Sequence, residues 1–523
     1  LQKGGNSTEK RKNLQLAPIL AINPNKGCSG LKRFLLLISP ILFASCARDA
    51  SDPFALAPSN PYSSWTPMKG NNLVSSKYCR TLLPPTFGIS ELSLAELLDI
   101  ALQNNPSTKQ TWAQARAAAA EYGVSLAPFY PDISFSSFYF RQKAGFPESG
   151  VPTATPGSPT TISPGNLPVT GVVESYFTES GPDVLLSYTL FDFGQRTAAS
   201  IAARETLYYA DLTHNQQIQS VLQEVMTDYY NYLYQKAVQK SDEANLTNAQ
   251  SLLDAANEKF ALGLAALGDV AQARTQFLQS KINLTSQKQA VENAFAQLAV
   301  DLGLPANVPF KVQPLPDQIA ADPLLEDIDT LVRVAQNQRQ DFLAAQANLR
   351  SKEASLLQAK RAVYPEINTQ LSTGRYWFNM NQHEKVNHWT AVVTLTFPIF
   401  NGYYYRNQIK NAEANVDFSR AQLMQSELSL IQHVTTAHMG VKTAAMNLGD
   451  SEEYLKAAEL EFKIALTNYK VGTMTILDVL QAQSSLADAR TKKADAQKNW
   501  FLSLADIAYA TGSLCATPNE VEE

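Results

Sequence analysis

The chain has 523 residues, a formal net charge of −5, 17% charged side chains and 45% hydrophobic ones. That length suits several domains or one long repeat architecture, and mild acidity without a Lys/Arg stripe excludes an electrostatic nucleic-acid footprint. The main apolar run, Phe34–Ala44, has eleven residues, short of the roughly 18 that a spanning helix needs, so any bilayer contact falls to strands or to a lipid.

The first segment reads as an export leader over residues 1–45. Lys32 and Arg33 supply positive charge, the apolar run follows, and Phe43-Ala44-Ser45 ends it before Cys46. A cysteine after two small residues resembles the bacterial lipoprotein signal, with Phe43 where that signal usually has Leu. It implies a covalent lipid on Cys46; an ordinary cleaved signal or a buried cysteine is the plainer alternative. Residues 1–30 fit no export pattern, and Leu31 stands where an initiator Met would serve, so they are expected to lie outside the working protein. Of the remaining cysteines, Cys79 and Cys515 lie near the two ends of the mature chain. An oxidising compartment permits a bridge between them, and two free thiols are the alternative.

After an extended segment over residues 46–91, a first repeat is expected over 92–305 and a second over 325–512, joined by a linker at 306–324. A tail covers 513–523. Leu92–Pro131 and Leu325–Pro365 are both helix-like and both end at a Tyr-Pro step, which disfavours further helix. Alternating segments follow each: 132–140 and 183–191 in the first repeat, 366–374 and 389–398 in the second. Trp389, Val393, Leu395 and Phe397 share one parity and Thr390, Thr394 and Thr396 the other. Apolar-out, polar-in strands of about 9–11 residues are the pattern of a membrane barrel wall. A Pro/Gly/Ser/Thr-rich stretch separates the first pair and a shorter polar stretch, Arg375–His388, the second; both are expected as loops.

Each hairpin then leads into a long stretch without Pro and almost without Gly, about 195–262 and 406–471. Some 65 helical residues make a rod of roughly 100 Å. Rich in Ala, Gln, Ser and Asn, such rods pack along narrow seams. The rods end in matching stretches, FALGLAALGDVAQAR (Phe260–Arg274) and YKVGTMTILDVLQAQ (Tyr469–Gln483). Gly263 and Gly472, Asp269 and Asp478, and Gln272 and Gln481 are each 209 residues apart. Tip turns are expected at about 260–268 and 469–477, with a helix returning from each. One chain supplies only four strands, too few to close a barrel, and open edges are not tolerated in lipid, so several chains must share one.

The YxVGTxTxxDVLxAQ stretch, the Tyr-Pro steps and the duplicated layout resemble the TolC-like family of outer-membrane efflux ducts over about Leu92–Gly512. Cys46 is similar to the signal of its acylated, drug-efflux branch. The resemblance implies a mainly α fold: a homotrimer with a twelve-strand barrel in outer-membrane lipid over a long periplasmic α-helical barrel. It implies a passive exit duct in a Gram-negative outer membrane, coupled to an inner-membrane pump by a periplasmic adaptor. No enzyme activity, no cofactor beyond the lipid on Cys46 and no nucleic acid follow from it. By motif, Tyr469 falls at a gate tyrosine that holds the inner helices closed through hydrogen bonds, and Asp478 at an acid ring. Gln481 stands where some members carry a second acid, and Met474 where a basic residue is common. Leu262, Gly263, Val471 and Gly472 match adaptor-docking tips. Independently, Thr475 with Asp478 three residues later suits a helix cap, and tight reversals need Gly.

Two other readings stay open: a protein-exporting duct of the same architecture, and a periplasmic coiled-coil lipoprotein without a pore. Catalytic patterns are missing from the sequence. His383–His388 is one residue too long for HExxH, His433 and His438 lie on different helix faces, and no phosphate-binding glycine motif is present.

Overall fold

The computed structural model describes residues 60–62, 91–149, 169–314, 326–379 and 383–515, all within the unit Asp49–Glu523. A two-residue strand β1 (Glu91–Leu92) leads to helices α1 (Leu94–Asn104) and α2 (Pro106–Leu126), then to strands β2 (Asp132–Ser149) and β3 (Val169–Phe191). The long helix α3 (Gln195–Ala261) and the returning α4 (Leu267–Asp301) complete this half. After β4 (Lys311–Val312) the order runs again: α5 (Ile328–Gln338), α6 (Gln340–Arg361), β5 (Glu366–Asn379), β6 (His383–Thr396), α7 (Tyr404–Val471) and α8 (Ile476–Thr511).

Local chemistry sets these boundaries. Ser93 and Glu96 form a reciprocal capping box on α1. Asn105 then accepts the Ser107 N–H at 2.8 Å, and Pro106 takes the first place of α2, where no amide is needed. Between β3 and α3, Phe193 and Gly194 adopt φ of 52° and 81°; Tyr403 and Gly402 do so before α7, at 65° and 63°. Asp192 holds the first of these turns, accepting the Gly194 N–H at 3.0 Å and the Arg196 N–H at 2.7 Å. The Arg196 guanidinium donates back to the Pro128 and Thr189 carbonyls, both at 2.8 Å, tying strand, turn and helix together.

The four long strands form one antiparallel sheet in the order β2–β3–β5–β6. Its strands exceed the alternating segments read from the sequence. β2 runs on to Ser149, β3 begins at Val169, and the second hairpin takes in most of Arg375–His388, where the polar composition predicts a loop. Two causes act together. An established antiparallel ladder extends for as long as both backbones can bond, and Val172-Val173 and Tyr176-Phe177 have high strand propensity inside the Pro/Gly-rich stretch.

Register divides the sheet into two unlike faces. Ile133, Leu186, Leu371 and Ala391 make one cross-strand row, and Phe135, Val184, Thr373 and Trp389 the next. The opposite face carries rows such as Ser134–Leu185–Ser372–Thr390. Phe135 and Trp389 are 71% and 72% exposed, so the apolar face has no cover from the described residues.

In the helical part, α3 is the hub, packing on α2, α4, α6 and α8, while α7 packs on α6 and α8. Its 67 residues span roughly 100 Å. A cluster of larger side chains, including Leu97, Val221, Tyr229, Leu298 and Phe310, gathers where α1, α3 and α4 meet. There the parallel pair β1–β4 buries Leu92 and Val312. Elsewhere the seams are narrow, with buried Ala198, Ala202, Ala249 and Ala256 along α3. Polar stitches fix helix against helix: Glu205 accepts from Arg350 at 2.8 Å, and Thr206 and Ser351 share a hydroxyl bond at 2.9 Å. Among the described residues no helix is long and apolar enough to cross a membrane.

Candidate functional site: the paired tips

Two helix reversals, α3 to α4 and α7 to α8, place the repeated stretches. At the first, Leu262 ends α3 and Gly263 turns left-handed at φ 75°, so that the Leu264 N–H reaches the Lys259 carbonyl at 2.8 Å. At the second, Gly472 has φ 90°, and the Thr473 N–H reaches the Asn468 carbonyl at 3.0 Å. Both are glycine-terminated helix ends that satisfy their last carbonyls in this way. Leu262 and Val471 are 68% and 70% exposed, so each tip offers apolar surface beside its glycine.

The returning helices are capped unequally. On α8, Asp478 Oδ2 accepts the Thr475 N–H at 2.9 Å and its hydroxyl at 2.7 Å, while the Asp478 N–H donates to Thr475 Oγ1 at 3.4 Å. The Thr475 hydroxyl, and then its amide, hold the Asp478 carboxyl below the usual carboxylate range. On α4, Ala266 has no side-chain oxygen, and only the return bond forms, Ala266 N–H to Asp269 Oδ2 at 3.3 Å. Asp478 and Gln481 are both exposed, three residues apart on α8. The buried glutamine lies two places on: Gln483 donates to the Asn245 carbonyl at 3.3 Å, joining α8 to α3.

Tyr469 is 3% exposed, in a cluster with Leu252, Ala256, Phe462, Ile476 and Val479 that locks the two reversals side by side. Lys259, in the last turn of α3, lies over its ring with Nζ 4.2 Å from the centroid and donates to the Tyr469 carbonyl. One side chain thereby grips both ring and backbone of the opposite hairpin, as a cation on an aromatic face and as a donor to a helix C-terminus. Burial, and after it the charge of Asp269, push the Tyr469 hydroxyl above its ordinary range. That hydroxyl is buried without a hydrogen-bond partner among the described residues.

The expected tip residues therefore divide. Leu262, Gly263, Val471 and Gly472 form the exposed ends, Asp478 and Gln481 line α8, and Tyr469 is sealed between the hairpins. Sequence reasoning missed Lys259. Its one signal was a basic residue in a helix's last turn, next to Phe260, the repeat counterpart of Tyr469. Cys46 and Cys79 lie outside the described residues, as does the question of a bridge to Cys515, which ends a short turn at Ser513–Cys515. Among the described residues no group of three His, Cys, Asp or Glu is arranged to hold a metal.

The family model described as "Outer membrane efflux protein" matches residues 97–304 and 331–513. Protein CyaE of Bordetella pertussis is 27% identical over 418 residues, covering 78% of this chain and 81% of that protein. Outer membrane protein TolC of Salmonella enteritidis is 23% identical over 440 residues, covering 82% and 84%. The solved outer-membrane channel OprN superposes with a TM-score of 0.69 at 19% identity, over 80% of this chain and 90% of that one.

Proposed function

We propose that this chain, which belongs to the outer membrane efflux protein family, works as a trimer whose copies pool four strands each into one twelve-strand barrel. The chain is an outer-membrane exit duct that extends into the periplasm, in keeping with its family of outer membrane efflux proteins and with relatives named as outer membrane proteins of efflux pumps. Coupling to an inner-membrane pump through a periplasmic adaptor is part of the same proposal, in line with TtgC of Pseudomonas putida, a probable efflux pump outer membrane protein. The observation that supports closure by further copies is the sheet: among the described residues β2 and β6 each leave one edge unpaired, and near the helices one face carries exposed Ile133, Phe135, Trp389, Val393 and Leu395; the number three follows the family resemblance. In a bilayer an unpaired strand edge costs several kcal/mol per group, so closure requires further copies. Three copies also give a lumen lined by the serine, threonine and amide rows. A coiled-coil lipoprotein without a pore leaves this sheet without a role.

The tips then serve as the periplasmic gate and the adaptor dock. Leu262–Gly263 and Val471–Gly472 present apolar knobs beside flat glycine backbone, which suits packing against a partner's helical ends. Asp478 and Gln481, repeated threefold, line the narrow end, where a ring of carboxylates raises local cation concentration. Lys259 and Tyr469 hold each chain's two hairpins in the closed arrangement. Since Met474 takes a place often basic in the family, the closing cation comes from Lys259 instead. Lipidation at Cys46 is part of the same proposal and tethers the assembly to the outer membrane. Cargo is small molecules handed on by the pump, and the duct itself is passive.

Planar-bilayer recording of the purified protein tests this reading. It predicts discrete, cation-preferring channels whose conductance rises and whose cation preference falls in Asp478→Ala. A preparation that forms no channels contradicts it.

A further inference from the structure

The polar face of the sheet changes character along its length. Near the helices it carries Ser134, Ser187, Thr189, Asn368, Gln370 and Thr394, by the pairing of the strands. Farther out, three successive rows differ. One is Ser136–Asp183–Gly374–His388, and another is Phe140–Glu179–Phe378–Glu384. Between them Phe138 and Tyr376 meet edge to face across Gly181, centroids 5.2 Å apart. Tyr376 in turn stacks on His388 at 3.8 Å, and His388 Nε2 is 3.5 Å from Asp183 Oδ1. Tyr376 also lies within electrostatic reach of Asp183 and Glu179.

Two features make this band a built surface. A Cβ on Gly181 would lie 2.2 Å from the Arg375 carbonyl oxygen, and one on Gly374 would lie 2.4 Å from that of Pro182. Glycine at both places lets Tyr376 and His388 settle against the wall. Charge is also sorted by face. Glu179, Asp183 and Glu384 point to the aromatic side, while the neighbouring Arg141, Arg375 and Lys385 have the opposite parity, that of the apolar face. No Lys or Arg stands on the aromatic side within these three rows.

We propose that this belt is a lumenal subsite for organic cations with aromatic bodies, such as planar dyes and arylammonium or arylphosphonium ions. The inference rests on the duct reading, which makes this face the lumen. Ring faces attract a weakly hydrated cation, and desolvation in a narrow lumen strengthens the attraction. The carboxylates supply the opposite charge, and the rings offer apolar area that an alkali cation cannot use. An organic anion of the same shape meets the same rings with repelling charge. Cargo of this class would dwell at the belt on leaving the duct, far along the chain's fold from the Asp478 tip.

Tetraphenylphosphonium and its isosteric anion tetraphenylborate, each added to single channels of the full-length protein in a planar bilayer, test the proposal. The cation is expected to give resolved current blocks and the anion none. Block residence time should fall about tenfold in Glu179→Gln combined with Glu384→Gln, and by a similar factor in Tyr376→Leu. It should be restored in Tyr376→Phe, which keeps the ring. Equal block by both ions overturns the proposal in the unaltered protein, whatever the variants do. So does cation block that follows Asp478→Asn and ignores the belt. Channels that open normally but are never blocked overturn the belt and leave the duct reading intact; a complete absence of channels overturns both.

Discussion

The two tips were written from one template and have become different objects. At Gly472 the preceding aromatic, Tyr469, is sealed between the hairpins, and α8 begins with a complete Thr475–Asp478 cap. At Gly263 the counterpart Phe260 is 45% exposed, and the Ala266–Asp269 cap is half made. The difference is a division of labour. The second tip holds the buried anchor and the fully capped start of α8, and the first supplies Lys259, which clamps that anchor. Duplication provided two equivalent reversals, and a few side chains made one the receiver and the other the latch.

Substitution at the two aromatics breaks the comparison most severely. Tyr469→Ala leaves a cavity in the tip cluster and is expected to cost about 3–5 kcal/mol, while Phe260→Ala stays within about 0.5 kcal/mol, as exposed substitutions do. Thermal unfolding of both variants in detergent checks this, and similar losses would show that the tips do not differ. Next comes the latch. Lys259→Met is expected to loosen the contact between the two tips by about 1–2 kcal/mol, with Lys259→Arg retaining most of it. Single-channel conductance should rise in the first variant and stay near the parent in the second.

The caps sharpen the contrast on a smaller scale. Thr475→Ala should cost about 1 kcal/mol, whereas Ala266→Ser, which completes the missing half of the first cap, should gain up to about 1 kcal/mol. Denaturant titration would show the opposite signs. The smallest effect is in acid. The Thr475 bonds lower the Asp478 pKa in the folded state, so its stabilisation is present above the ordinary carboxylate pKa and is lost as pH falls through the lowered one. Destabilisation of the parent below about pH 4 should therefore be shallower in Thr475→Ala.

Much of this architecture was legible before the structure. The long Pro-free stretches, the Tyr-Pro exits and the glycine reversals are local signals, and α3, α7 and the tips follow them. The extent of the strands was less legible, because their outer parts are held by ladder pairing more than by side-chain alternation. The burial of Tyr469 against the exposure of Phe260 could not be read from a motif that both share. Nor could the Lys259 clamp, which joins residues 210 apart in the chain. Likewise, the acid-and-aromatic belt depends on register: only pairing across β2, β3, β5 and β6 brings Glu179, Tyr376 and Glu384 to one face.

A duct built from this chain requires several copies to close one sheet. Native mass spectrometry of the protein extracted in mild detergent measures that directly. A particle of three chains, with no smaller species able to form channels, is the predicted result. A stable, channel-forming single chain would leave the β2 and β6 edges open in lipid and contradict it.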